Sequence, residues 1–296
     1  MKVIKTFITL TIFSAFVVTN AQELPIHISN DSTTLRQLID EKLQDELIKE
    51  IGKKPRWKRL IDQKKMAIGV VDLSDTTHIR FARINGNHMM YAASLPKIAV
   101  LLAAKDAIEK GELVETSEVK SDLKLMISKS DNAATTRMID RLGYEKIETV
   151  LTSERYNLYD EERGGGLWVG KRYGGGGTTN REPLKNLSHA ATATQVCRFY
   201  FLLAQGKLVT EERSMEMLNI MEDPALHHKF VNTLDRIAPN ARLFRKSGSW
   251  KTYHSDSVLV WGKPSRRYIL VALIDDANGE QIIRNLVEPI ERVLKK

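Results

Sequence analysis

The sequence predicts an α+β fold: one antiparallel sheet assembled from both ends of the chain, with a helical block inserted between its halves. Three observations predict it. Strand-like segments fall in two groups, at residues 65–84 and 242–275. The stretch between them, about 94–204, carries helical patterning and helix stops. Amphipathic helical stripes stand near both ends of the chain. With 296 residues, 42% hydrophobic and 28% charged, the chain is long enough to bury a core without disulfides or a structural metal.

The first 21 residues stand apart. Lys2 and Lys5 precede an apolar stretch from Phe7 to Val18, and Thr19-Asn20-Ala21 offers a small residue for cleavage. This pattern predicts a secretory signal peptide cut after Ala21, and hence a secreted or periplasmic protein. The apolar run is short for a membrane span and no cysteine follows it, so no stable membrane anchor is expected after cleavage. Loss of Lys2 and Lys5 takes the formal net charge from +8 to +6.

Residues 22–64 read as a helical segment leading into the sheet domain, which spans residues 65–296. Thr33 or Ser32 can cap a helix running to about Ile51, with Leu35, Leu38, Ile39, Leu43, Leu47, Ile48 and Ile51 in one stripe. The basic run around Trp57, residues 53–59, reads as a solvated helix end; no nucleic-acid partner is expected. Strands follow at 65–73 and 78–84, joined by Ser74-Asp75-Thr76-Thr77. Helices are predicted at 95–110, ending at Gly111, then at 121–128 and at 133–142, ending at Gly143. A loop region at 153–186 holds 8 of the 17 glycines. A helix at 193–204 precedes strands at 242–249, 255–262 and 267–275. The closing helix shows Ile282, Ile283, Leu286, Val287, Ile290, Val293 and Leu294 on one face, with Pro289 expected to kink it.

Several chemistries are excluded. The lone Cys197 leaves no disulfide, no CxxC pair and no cysteine-rich zinc site. There is no GxSxG, HExxH or GxGxxG. Residues 165–172 almost match a phosphate-binding loop, but Arg172 replaces the Mg²⁺-binding hydroxyl and no strand precedes it. The seven histidines lack ligand spacing; His227 and His228 are adjacent and would point apart on a helix. No metal and no cofactor is expected.

One constellation remains. Ser94-Leu95-Pro96-Lys97 is an SxxK, as are residues 117–120 and 121–124. Context separates them: Ser94 follows the strand-rich segment and opens the most apolar helix, whereas the others lie in a polar stretch. A serine hydroxyl becomes a nucleophile when an adjacent base takes its proton, and a lysine three residues on along a helix can be that base if burial and nearby positive charge lower its pKa. In Ser130-Asp131-Asn132, Asp131 is placed to cap the next helix, leaving Ser130 and Asn132 to flank a fixed turn. Lys246-Ser247-Gly248 ends a strand; Lys246 with Ser247 can hold a carboxylate, and Gly248 lets a ligand backbone approach.

Together and in this order, the three motifs resemble the penicillin-recognising serine superfamily, most closely the class A β-lactamases. The resemblance runs from about Ile68 to the C-terminus. It implies a β-lactamase/transpeptidase-like fold: a five-stranded antiparallel sheet with flanking helices, an all-helical subdomain, reduced in this chain, and a cleft between. It implies Ser94 as the acylated nucleophile, Lys97 assisting proton transfer, Ser130 passing a proton to the leaving nitrogen, and Asn132 binding the substrate's side-chain amide. Lys246 and Ser247 would hold its carboxylate, and the N–H groups of Ser94 and Ser249 would form an oxyanion hole. The implied partner is a small-molecule or peptide-like substrate, a β-lactam or a D-alanyl peptide, met by a monomer.

The chain departs from this pattern in three places. The stretch from Ser94 to Ser130 is shorter than in typical class A enzymes, so the helical subdomain is expected to be trimmed and the cleft more open. The deacylating glutamate of a Glu-Pro-x-x-Asn loop is matched by Glu182 and Asn186, but late in the loop, with Glu161, Glu162 and His189 as alternative bases. The arginine often found after the Lys-Ser-Gly strand is missing, so Lys251, His254 or Ser255 would have to replace it. Three readings follow: β-lactam hydrolysis through an acyl-enzyme at Ser94; a D-alanyl-D-alanine peptidase, transpeptidase or esterase with the same chemistry; and a catalytically silent binding homologue.

Overall fold

The structure is a computed structural model and describes residues 24–26 and 34–295. The predicted signal peptide and the caps Ser32 and Thr33 lie outside the described residues.

Residues Leu35–Leu38 form a 3₁₀ turn, and Ile39, in extended conformation, bridges to Phe81. This bridge breaks the single helix expected up to Ile51. Helix α1 (Glu41–Gly52) starts only after Asp40, whose carboxylate accepts the Leu43 N–H at 2.7 Å. The basic run spans the expected solvated helix end, Lys53 capping α1, and also opens a further helix. Pro55 cannot continue α1 but suits a first helical position, so a second helix, α2 (Pro55–Asp62), begins there. It buries Trp57 and Leu60 and leaves its charges outward.

Strands β1 (Met66–Asp72) and β2 (Arg80–Ile84) form the expected hairpin, and a short β3 (Met90–Tyr91) follows. The helical block comprises α3 (Lys97–Glu109), α4 (Ser117–Ser128), α5 (Asn132–Leu142) and α6 (Tyr144–Thr152). The glycine-rich stretch contains β4 (Trp168–Val169) and runs into β5 (His189–Ala191). Helices α7 (Ala193–Ala204), α8 (Glu211–Met221) and α9 (Phe230–Ile237) lead to β6 (Arg242–Trp250), β7 (Tyr253–Trp261) and β8 (Arg267–Asp275). Helix α10 (Gly279–Leu294) closes the fold with Pro289 inside it. Among the described residues, no helix is long and apolar enough to cross a membrane.

Five strands make one antiparallel sheet in the order β2-β1-β8-β7-β6, which joins the two ends of the chain as predicted. Strand alternation sends Ile68, Val70, Leu270 and Ala272 into a core shared with α1, α2, α9 and α10. Ala67, Val71, Ile269 and Val271 face the opposite core, shared with α3, α7 and the helical block. On that side α7 crosses β1 at Gly69, where a Cβ would lie 2.6 Å from Cys197 Sγ. The buried Cys197 thus packs against a glycine. A second sheet, β3-β5-β4, sits beside the helical block. Its strands of two or three residues are too short to show any periodicity in the sequence.

Candidate active site

The nucleophile candidate lies in a turn rather than on a helix. Ala93 takes a positive φ of 50°, and the chain then turns through Ser94, Leu95 and Pro96 before α3 starts at Lys97. The preceding segment is tied on several sides. Ser255 Oγ donates to Ala92 O at 2.8 Å, Ala92 N donates to His189 O at 2.9 Å, and Tyr173 Oη donates to Ala93 O at 3.0 Å. Ser94 is half-buried at the end of this fixed segment.

Gly248 sets how close β6 comes to that turn. A Cβ on it would lie 2.5 Å from both Ala92 O and Ser94 N, and 2.8 Å from Leu95 N. The close approach allowed by this glycine is therefore to the chain's own nucleophile turn, not to a ligand backbone. These are backbone atoms with little freedom to yield. Gly248→Ala is expected to cost about 1–3 kcal/mol of stability, measured as a fall in the melting midpoint. An unchanged midpoint would show that the turn relaxes.

Lys97 is fully buried, and its Nζ converges on the second motif. It donates to Ser130 O at 2.7 Å and Asn132 Oδ1 at 2.8 Å, with longer contacts of 3.4 Å to Ser130 Oγ and Asp131 O. The direct Lys97–Ser94 hydrogen bond expected from the sequence is not among these contacts. Ser94 and Lys97 are joined through the backbone, Lys97 N donating to Ser94 O at 3.3 Å, while the Lys97 ammonium is directed to Ser130 O and Asn132 Oδ1. Asp131 caps α5 as predicted, accepting from Ala134 N at 2.6 Å, and Ser130 beside it holds a positive φ of 57°.

Lys246 arrives from β6. Its buried Nζ donates to Ser130 Oγ at 2.9 Å and to Ser247 O at 2.9 Å. Ser130 thus stands between two lysine ammonium groups. Ser247 points to the other face of the strand, with Oγ 3.4 Å from His228 Nε2, so it does not stand beside the Lys246 ammonium as the expected shared carboxylate site required. Behind β6, the buried Lys229 donates to Gly248 O, Ser249 Oγ and Ser255 O, and Arg245 pairs with Asp256. Trp250 pairs with Tyr253 across a two-residue turn, so the alternation of the ladder aims the Ser249 N–H away from β7. It emerges at the free edge of the sheet, beside the Ser94 turn.

Burial pushes the Lys97 ammonium down to about 7, against the opposing pull of the Asp131 carboxylate. Burial also holds Lys246 well below the ordinary lysine value, helped by the positive charges of Lys97, Arg245 and Lys229. A neutral Lys97 amine would use its two N–H groups on Ser130 O and Asn132 Oδ1. Its lone pair would then be free to take a proton.

The candidate deacylating bases are placed differently. Glu182 is buried, but its carboxylate accepts from Leu184 N, Lys185 N, Leu187 N and Tyr159 Oη at 2.8–3.1 Å. It fastens its own loop and is not brought into the Ser94–Lys97–Ser130–Lys246 cluster. Glu161 and Glu162 lie in an exposed 3₁₀ turn. His189 is adjacent to the site, yet both of its nitrogens are engaged. Nε2 donates to Lys171 O at 3.0 Å, which leaves Nδ1 to accept from Ser188 Oγ at 3.1 Å. Burial pushes its pKa down to about 4, so the ring stays neutral near pH 7. Of the groups expected to replace the missing arginine, Ser255 is spent on Ala92 O, and His254 Nδ1 lies 3.1 Å from Ser249 Oγ. Lys251 lines the cleft.

That cleft, about 570 Å³, opens beside the cluster and is walled by Tyr91, Asn132, Tyr173, His189, Trp250 and Tyr253. The aromatic wall was not read from the sequence. Its members come from β3, the glycine-rich loop, β5 and the β6–β7 turn, and no local pattern connects them. Among the described residues there is no group of three or more His, Cys, Asp or Glu side chains that could hold a metal.

The model of the beta-lactamase enzyme family matches residues 53–122 and 115–294. Solved structures share the fold at low identity. A beta-lactamase from Sphaerobacter thermophilus DSM 20745 is 18% identical, with 87% of this chain and 98% of that chain covered, at a TM-score of 0.66. PBP-A is 17% identical over 86% and 96% of the two chains, at 0.62. A PBP-A mutant in an acyl-enzyme complex with penicillin G is 16% identical over 86% and 97%, at 0.64. No curated protein matches the chain. The five-stranded antiparallel sheet built from both chain ends and the family match over most of the chain agree: this protein belongs to the beta-lactamase enzyme family.

Proposed function

We propose that the protein is an exported serine hydrolase that forms an acyl-enzyme at Ser94 with β-lactams or with D-alanyl peptides of the cell wall. The observation that carries this reading is Ser130 held between Lys97 and Lys246 beside the Ser94 turn. In the proposed step, neutral Lys97 receives the Ser94 proton as Oγ attacks the substrate carbonyl. The N–H groups of Ser94 and Ser249 receive the developing oxyanion. Ser130, oriented by Lys246, gives its proton to the departing nitrogen and regains one from Lys97. Asn132, at the mouth of the cleft, meets the substrate's side-chain amide.

The placement of Glu182 favours the peptidase or transpeptidase reading over rapid β-lactam hydrolysis. A carboxylate already accepting four hydrogen bonds within its own surroundings is poorly placed to activate water at the acyl ester. Penicillin would then inhibit rather than be consumed. Intact mass after incubation with a penicillin tests acylation. Nitrocefin turnover, set against D-alanine release from a cell-wall pentapeptide, separates the two substrates. A catalytically silent homologue predicts no adduct with a β-lactam panel or a serine-directed phosphonate.

The pH dependence of acylation is a direct consequence of the buried lysine. Lys97 must be neutral to accept the proton, and its pKa is lowered to about 7. Acylation is expected to be slow below that value, to rise through it and to level off above it. Stopped-flow acylation across pH 5.5–9 checks this. A flat profile would remove Lys97 from the role of base.

A further inference from the structure

The residue that covers Lys97 belongs to no motif. Tyr173 stands in the glycine-rich loop, directly before Gly174, and is carried into the site from there. The Lys97 Nζ lies 4.5 Å from the centroid of its ring. The same ring packs on His189 with centroids 4.1 Å apart, and its hydroxyl donates to Ala93 O at 3.0 Å. The loop is fixed around it. Thr136 Oγ1 donates to Tyr173 O at 3.3 Å, Arg172 pairs with Asp140 at 2.6 Å, and Lys171 O accepts from His189. Immediately beyond, Gly174, Gly175 and Gly176 have no neighbouring atoms within 4 Å of where a Cβ would stand, so the anchoring ends at Tyr173.

The surroundings of Lys97 can be read side by side. The segment before α5 supplies Ser130 O, Asn132 Oδ1 and, farther off, the Asp131 carboxylate. β6 supplies the Lys246 ammonium, which shares Ser130 Oγ with Lys97. β5 supplies the neutral His189, behind the Tyr173 ring. A ring face over an ammonium attracts the charged form. The same ring also keeps water from Lys97, which favours the neutral form.

We propose that Tyr173 is a positioning residue whose ring seals Lys97 from water and thereby keeps its amine available as a base near neutral pH. The proposal deepens the reading of Ser94 as an acylated nucleophile and rests on it for its catalytic meaning. The net direction at Lys97 is downward and led by burial, and the Tyr173 ring, 4.5 Å from the Lys97 Nζ, is part of what buries it. The Tyr173 hydroxyl stays protonated, because burial raises its pKa well above the ordinary value, and so remains a donor to Ala93 O.

The test is an NMR titration of the full chain labelled with ¹³Cε-lysine, the Lys97 signal being assigned by its loss in Lys97→Met. Tyr173→Ala is expected to move the Lys97 midpoint upward by about one pH unit or more. Tyr173→Phe, which keeps the ring, is expected to leave it in place. Tyr173→Gln removes the ring while keeping a polar side chain of intermediate length, and serves equally if the alanine variant does not fold. A midpoint unchanged in the alanine or glutamine variant overturns the proposal. So does a phenylalanine variant that moves as far as they do. The titration needs no substrate: failure of penicillin to label the wild-type protein would sink the acyl-enzyme reading while the role of the ring is still decided.

Discussion

Ser94→Ala is expected to abolish the covalent adduct with penicillin while leaving the fold intact. The hydroxyl stands half-buried in a turn whose backbone is fixed by Ser255, Tyr173 and His189, none of which bonds to the Ser94 side chain. Deleting the oxygen therefore removes the attacking atom and little else. Loss of a nucleophile in a serine enzyme lowers turnover on the order of 10⁴- to 10⁶-fold, and the acyl-enzyme itself cannot form. Intact mass and a melting curve check both halves. An adduct of unchanged yield on the variant would place the nucleophile elsewhere, with Ser130 the first residue to map.

Lys246→Ala is expected to lower kcat/KM for carboxylate-bearing substrates by about ten- to hundredfold, the range for a lost charge-assisted hydrogen bond. The side chain has three consequences at once. In the proposed reading it meets the substrate carboxylate, whose negative charge favours the protonated lysine; it also donates to Ser130 Oγ at 2.9 Å and lies close enough to Lys97 for the two charges to oppose each other. A neutral ester lacks the carboxylate and should lose much less, through Ser130 and Lys97 alone. Lys246→Met keeps most of the side-chain volume and separates loss of charge from loss of packing. Equal losses for carboxylate and ester substrates, with the melting point unchanged, would show that Lys246 acts only through Ser130 and the field of the site.

The residue types of the site were legible because they are chemical. A serine three before a lysine, an aspartate able to cap a helix between a serine and an asparagine, and a lysine at a strand end could be named from the chain alone. Asp131 does cap α5; that Lys246 reaches Ser130 was seen only in the structure. The roles of glutamate and histidine were not legible. Glu182 has the right neighbours in sequence, but the loop folds three of its own N–H groups back onto the carboxylate. His189 needed knowledge of which atoms fill its two nitrogens. Tyr173 offered only one weak signal, an aromatic residue set directly before a run of glycines.

The antiparallel sheet drawn from both ends of the chain could be read from the residues alone, because near-continuous apolar runs such as those of β1 and β8 can bury both faces of a strand. The three motifs that supply Ser94, Lys97, Ser130 and Lys246 could be named from the chain as well. Folding was needed to reveal that Ser94 sits in a turn before α3, that the short β3, β4 and β5 pair beside it, and that an aromatic ring rather than a carboxylate covers Lys97. The physical reason is range. Periodicity and capping act over a few residues, whereas the environment of Lys97 is assembled from positions 130, 173 and 246, brought together only when the sheet and the helical block close on each other.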